Sequence, residues 1–316
     1  MACSEGGPRR ALLLQRRGMQ HLRYLDYVDA VARCGSIRSA ADALHVAASA
    51  VNRRIKELER ELDTPIFERL RSGVRLTAAG ELFVGYARRR AADLDHVRSE
   101  IESLRGLRRG NVSMAVSQAL APAFLPRTLV DFQAEHPGVS FAVKVLDRER
   151  AVQALLDFEV DLALVFNPPP GRGVRILAQA RQRTCAVVAA DHPLAGHVSV
   201  RLKDCLKYPV ALPDGSLSGR GVIDDLLESA AEQPVAALVC NSFEMMRSFA
   251  CQSGGVSFQI ALGAAGDPRL RAIPIEERSL PASRLVLMTL RDRVLPVASA
   301  RFAEHLRGEL VTMHQA

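Results

Sequence analysis

Four side chains, Ser49, Asn52, Arg53 and Lys56, fall on one stripe of a helical period, and together they carry the chemistry for reading DNA. An asparagine amide can meet an adenine edge with two hydrogen bonds, an arginine fork can meet a guanine edge, and a lysine ammonium holds a phosphate. The opposite stripe carries Val51, Ile55, Leu58 and Leu62, at steps of four, three and four, so that face should turn inward. Glu57, Glu59 and Glu61 are confined to the C-terminal half of the segment, away from a groove entered by its N-terminal half. A solvated helix face would explain the polarity of the stripe but not this separation of charge along the axis.

A reading helix needs two others to seat it. Leu25, Val28 and Ala32 recur at helical spacing and give a first helix ending near Gly35. Ser36 is suited to cap a short second helix through Ala40, Ala41 and Leu44, and a tight turn at His45-Val46 follows. Pro65 stops the third helix, and Arg69 to Leu76, with Gly73 between short β-prone pieces, reads as a hairpin or wing. Thr77 can cap a long helix reaching about Leu107. Its positions Phe83, Ala87, Leu94, Val97, Ile101 and Leu104 keep a spacing of four and three, broken only at Arg90. Flanked by Arg88, Arg89, Asp93, Asp95, Arg98 and Glu100, that line reads as a dimerisation seam. The alternative is a core helix of the following domain.

The chain has 316 residues, 48% hydrophobic and 24% charged, enough for two or three domains with cores. A formal net charge of +7 and the crowding of arginines into the first third suggest an anionic partner bound at that end. The six cysteines form no CxxC pair and no cluster with histidine at metal-ligand spacing, so they read as free thiols in a reducing cytoplasm, with no metal. No segment has transmembrane length, and Ala11–Leu14 is too short for a signal-peptide core, so no membrane association and a cytoplasmic location are expected. No GxSxG, Walker A, HExxH or GxGxxG pattern occurs, so neither an enzyme nor a cofactor is expected.

Residues 19–110 resemble the N-terminal part of the LysR-type transcriptional regulators. The resemblance is carried by Ser36-Ile37-Arg38-Ser39-Ala40-Ala41, Leu44-His45-Val46, Ala50-Val51, Ile55-Lys56-Glu57-Leu58-Glu59, Pro65-Ile66-Phe67-Glu68-Arg69 and Leu76-Thr77-Ala78-Ala79-Gly80. Leu125-Pro126, Phe132, His136-Pro137-Gly138-Val139 and Asp161-Leu162-Ala163 extend it more loosely over the rest. The resemblance implies an α/β protein with a winged helix-turn-helix, a long linker helix that dimerises, and a two-lobed effector domain like the periplasmic binding proteins. It also implies a homodimer or homotetramer on double-stranded operator DNA, with RNA polymerase as a further partner. Where the family usually opens its recognition helix with Ser-Gln-Pro, this chain has Ala47-Ala48-Ser49, and Asn52 stands where Ser is common. Ser49 is then expected to cap one turn late and shorten the helix, and the operator to be atypical. The DNA-contacting set is Ser36, Arg38, Ser39, Ala48, Ser49, Asn52, Arg53, Lys56, Arg69, Arg71 and Arg75, with Arg38, Arg53, Lys56 and Arg69 on phosphates.

The expected domains are an arm or mis-assigned start at 1–18, before Met19, a DNA-binding domain at 19–77, a linker helix at 78–110 and an effector domain at 111–316. Lobe one takes 111–182 plus 284–316, and lobe two takes 183–283. Strands expected at Val112–Val116, Val139–Val145, Leu162–Phe166, Cys185–Ala189, Pro209–Leu212, Ala236–Val239, Gly255–Ile260 and Leu285–Leu290 alternate with helices, which points to largely parallel sheets. Ligands then sit at strand ends and helix N-termini. That rule selects Ser117, Gln118, Asn167, Asp214, Ser216, Ser218, Asn241 and Ser242, with Arg220 as the partner of a carboxylate effector. Each polar residue before a helix is equally a cap. Two further classes are a solute-binding module and a redox sensor, the latter needing Cys240 and Cys251 to pair.

Overall fold

The structure is a computed structural model, which describes residues 23–104, 109–171, 173–217, 219–229, 235–276 and 283–315. The chain divides into two compact units after Arg98.

In the first unit, α1 (Arg23–Cys34), α2 (Ile37–Leu44) and α3 (Ala48–Glu61) are followed by a hairpin of β1 (Phe67–Leu70) and β2 (Gly73–Leu76), and then by α4 (Ala78–Leu104). Val28, Val31, Ala40, Val51, Ile55 and Leu58 meet in one core with Ile66 and Val84. Ser36 caps α2 by accepting the Ser39 amide at 3.4 Å, and His45 closes it in the left-handed region at φ 56°. α3 begins at Ala48 behind Ala47, with no side-chain cap. Ser49 therefore does not cap, and the helix is not shortened as expected. Leu62, the last of the expected apolar face, sits at the C-cap and is 45% exposed. Thr77 Oγ1 accepts the Gly80 amide at 3.0 Å and so caps α4 as expected.

The second unit holds two five-stranded sheets. The first runs β4 (Val139–Val145), β3 (Gly110–Val116), β5 (Leu162–Phe166), β12 (Ser283–Leu290), β6 (Val174–Gln182). The second runs β11 (Leu270–Pro274), β7 (Thr184–Ala189), β10 (Val256–Ile260), β8 (Val210–Pro213), β9 (Leu238–Cys240). Helices α5 (Phe124–Glu135), α6 (Arg148–Leu156) and α11 (Val297–Gln315) follow strands of the first sheet. The second has α7 (Leu202–Cys205), α8 (Arg220–Ser229), α9 (Phe243–Ser253) and α10 (Ala261–Ala264). The chain crosses from the first sheet to the second between Gln182 and Thr184, and is back in the first by Ser283.

The expectation of largely parallel sheets is corrected. In each sheet two pairings are parallel and two antiparallel, because the strands adjoining the crossings, β6 and β12 in one and β7 and β11 in the other, run against their neighbours. Strands β6 and β11 and helix α11 lie outside the sequence expectation. Both strands are sheet edges carrying Arg and Gln or Pro, so their apolar alternation is broken. α11 buries Ala298, Phe302, Leu306 and Leu310 at steps of four, with Phe302 edge-on to Phe132 at 5.1 Å and Phe141 at 4.8 Å.

Candidate nucleic-acid interface and effector cleft

On α3, with Val51, Ile55 and Leu58 buried, Ser49, Asn52, Arg53, Lys56, Glu57 and Arg60 line one open groove on the outer side. The structure thus brings together the stripe expected to read DNA. Arg53 and Arg54 flank Glu57 at 3.8 and 2.8 Å, exposed pairs that water and a phosphate can readily replace. Arg38, Arg69, Arg71 and Arg75 are all exposed, and Ser39 is half-buried. Three residues of the expected DNA-contacting set already have partners within the protein. The Ser36 hydroxyl accepts a backbone amide as a cap, Arg75 pairs with Glu68 across the hairpin at 2.7 Å, and Asn52 Oδ1 accepts from Arg69 at 2.8 Å. Glu59 also has a task that charge patterning did not reveal. Its Oε1 accepts the amides of Ile66 and Phe67 at 2.9 and 3.1 Å, tying the hairpin's start to α3.

Along α4 the expected seam splits. Phe83 packs half-buried against the core of its own unit and Ala87 is buried, so neither lies on a free face. Leu94 is half-buried, Val97 and Ile101 are exposed, and the Leu104 side chain lies outside the described residues. Leu82, which the heptad reading passed over, is 78% exposed.

In the second unit a cleft of about 200 Å³ opens between the two sheets. Four expected ligand-facing residues line it: Ser117, Gln118, Ser216 and Asn241. Gln118, in the turn after β3, spans the cleft. Its Oε1 accepts the Phe243 amide at 2.6 Å, and its Nε2 donates to the Asn241 carbonyl at 3.4 Å. Ser117 Oγ accepts the Phe166 amide at 3.2 Å.

Four others do not line the cleft, and their polar atoms are engaged close by. Asn167, at φ 44°, accepts the Arg284 amide at 2.8 Å and so joins the ends of β5 and β12. Asp214 accepts the Ser216 hydroxyl at 2.6 Å and amide at 2.8 Å, which together hold its carboxyl below the usual carboxylate range. Ser242 caps α9 through the Met245 amide at 3.2 Å. Arg220 donates to Asp224 at 2.7 Å and to the Pro213 carbonyl at 2.9 Å, so its fork is engaged on its own lobe. Ser218 lies outside the described residues.

Sequence reasoning missed Thr184, Ser283 and Gln259, three buried polar residues lining the same cleft. Thr184 and Ser283 stand at the two crossings between the sheets, and Gln259 alternates with Ser257 against apolar residues along β10, a signal visible in the sequence. Gln259 is held by Arg247, which is 6% exposed and also donates to the Gly263 carbonyl at 2.7 Å. Phe166, Phe243, Phe258 and Ile260 supply the apolar walls. Among the described lining residues Asp147 alone is charged, and its carboxylate caps α6 through the Arg150 amide at 2.7 Å. The polar groups that the cleft offers are therefore mostly hydroxyls and amides.

Cys240 and Cys251 are not placed to pair, and two other cysteines are buried. Burial pushes the Cys185 thiol up to about 11 and Cys205 to about 12, so both stay protonated and unreactive. Cys240 ends edge strand β9, whereas Cys251 Sγ lies 4.0 Å from the Arg269 carbonyl beside β11, the opposite edge. Four strand spacings amount to about 19 Å, well beyond the roughly 7 Å limit for a disulfide. Peroxide treatment is expected to leave no Cys240–Cys251 disulfide. A cross-linked peptide in mass spectrometry of the treated protein would contradict this.

Two family models match the chain. One, the bacterial regulatory helix-turn-helix protein of the lysR family, covers residues 22–81, and the other, the LysR substrate binding domain, covers residues 105–311. The RuBisCO operon transcriptional regulator of Allochromatium vinosum is 38% identical over 183 residues, 57% of this chain; the chain spans 60% of that relative's length. The structure of CbnR, a LysR family transcriptional regulator, is 25% identical with a TM-score of 0.55, over 90% of this chain and 99% of that one. Full-length OxyR from Pseudomonas aeruginosa shares the fold with a TM-score of 0.67 at 20% identity, over 90% and 94% of the two chains. With both halves of the architecture matched in order, the chain belongs to the LysR family, as a transcriptional regulator with an N-terminal DNA-binding helix-turn-helix and a C-terminal effector-binding domain.

Proposed function

We propose that this regulator reads its operator with the α3 groove, using Ser49 and Asn52 for base edges and Arg53, Lys56, Arg38 and Arg71 for phosphates. It acts as a homodimer or homotetramer through the apolar stripe of α4, at half-buried Leu94 and exposed Val97 and Ile101. A small hydrogen-bonding effector, which a carboxylic acid bound by hydroxyls and backbone amides would satisfy, sits between the two lobes against Ser117, Gln118, Thr184 and Asn241. The protein works in the cytoplasm, beside RNA polymerase, and turns over no substrate. The domain limits follow the same plan, with 19–77 reading DNA, 78–110 linking, 111–182 plus 284–316 as lobe one and 183–283 as lobe two. Among the described residues no helix is long and apolar enough to cross a membrane.

The observation that carries this reading is the groove itself, in which basic and hydrogen-bonding side chains share one exposed helix face above a buried one. Its test is the salt dependence of DNA binding by the full-length protein. Arg53→Ala is expected to weaken binding and to lower the slope of log affinity against log salt by about one, the share of a single phosphate contact. An unchanged slope in fluorescence anisotropy would remove Arg53 from the interface.

A further inference from the structure

We propose that Asn52 and Arg69 act as one reading unit that selects a guanine, instead of serving as an adenine reader and a separate phosphate clamp. The proposal rests on the α3 groove being the DNA interface and deepens that reading. Arg69 belongs to the hairpin and Asn52 to the recognition helix, yet the guanidinium donates to Asn52 Oδ1 at 2.8 Å.

Strand alternation brings this about. Phe67 is turned into the core, so Arg69, two residues on, shares its face. Glu68 points the other way, where it pairs with Arg75 at 2.7 Å. Glu59 Oε1 holds the strand's first amides at 2.9 and 3.1 Å, so the hairpin is tied to α3 at two points, and Arg69 is set in place before DNA arrives.

The bond changes what Asn52 can recognise. A bidentate contact to adenine needs Oδ1 to accept from N6–H while Nδ2 donates to N7. The guanidinium occupies one of the two Oδ1 lone pairs, so the amide keeps two N–H donors and a single acceptor site, and the adjacent cation disfavours a base that itself offers a donor. Arg69 keeps four further N–H groups of its five. The unit is therefore donor-rich and positively charged, and guanine, with N7 and O6 both acceptors in the major groove, is its complement.

The test is selection from randomised duplex DNA on the full-length protein, followed by affinities for single-base variants of the selected site. One position is expected to be guanine, and Asn52→Ala and Arg69→Ala should each relax it about ten-fold or more, the double variant no further. Arg69→Lys, which keeps the charge but loses the fork, should relax the same position. Two results would overturn the proposal. One is an Arg69→Ala protein that loses affinity for all sequences alike and about one unit of salt slope with every base preference intact. The other is an adenine at the position that Asn52→Ala relaxes. A protein that enriches no sequence would remove the DNA-reading assignment itself, and the proposal with it.

Discussion

Gly80→Ala is expected to unfold the DNA-binding unit, with a loss of at least about 3 kcal/mol, the upper end for forcing one carbon into packed structure. A methyl at Gly80 would lie 2.1 Å from the Ile66 carbonyl oxygen and 2.9 Å from Leu76 Cδ2. The backbone oxygen cannot yield cheaply. The Ile66 oxygen accepts the Thr77 amide at 3.0 Å and the Thr77 hydroxyl at 3.2 Å, and that hydroxyl in turn accepts the Gly80 amide at 3.0 Å. The glycine exists for close approach: the first turn of α4 lies against the segment entering the hairpin. Gly85, in the same helix, has nothing within 4 Å of the point where a methyl carbon would stand, so Gly85→Ala should stabilise by up to about 1 kcal/mol through helix propensity alone. Urea unfolding followed by circular dichroism, with DNA binding measured alongside, reads both. Gly80→Ala melting with the parent protein would show that the hairpin entry can shift.

The second large effect is expected at Asp161, in the segment that approaches β5. Asp161→Asn should cost the effector-binding domain about 3–5 kcal/mol, because it leaves a buried arginine without its counter-charge. Asp161 and Arg293 have side chains 8% and 9% exposed and meet at 2.5 Å. The second carboxylate oxygen accepts the Ser299 hydroxyl at 2.8 Å, and Ser299 is fully buried. The backbone of the same residue accepts the Thr289 hydroxyl at 2.9 Å and donates to the Ser113 carbonyl at 2.9 Å. One residue thereby links β3, β5, β12 and α11, the elements behind the cleft wall that carries Ser117 and Gln118. Differential scanning calorimetry should show the effector-domain transition lowered while the DNA-binding unit's transition stays in place. An unshifted effector-domain transition would mean that Arg293 finds water or another acceptor.

Much of the first unit was legible because its signals are local. The Ser36 cap, the left-handed His45, the buried Val51/Ile55/Leu58 face and the Thr77 cap each depend on residues within a turn or two. The reading failed at Ser49, where the helix starts at Ala48 without a side-chain cap; α3 is held by its buried face, so a cap was dispensable. The heptad reading of α4 went astray at Phe83 and Ala87 for a different reason. Spacing alone cannot distinguish a side chain facing a second copy from one facing its own core. In the second unit, polar residues before helices were correctly placed at strand ends, but Asn167, Asp214 and Ser242 serve the turns themselves.

By itself the sequence determined the elements of the first unit, most strands of the second, the order of the two units and the face of α3 that carries the DNA chemistry, because helical period, caps and turn residues act over a few positions. Only the tertiary structure decided what those side chains do. It turned Arg69 onto Asn52, set Cys240 at one edge of the second sheet with Cys251, on α9, near the other, and brought Thr184, Ser283 and Gln259 into the cleft with Ser117. Each of these rests on where a strand lies in a sheet or how a hairpin leans on a helix. Those contacts join residues far apart in the chain, and no local pattern encodes them.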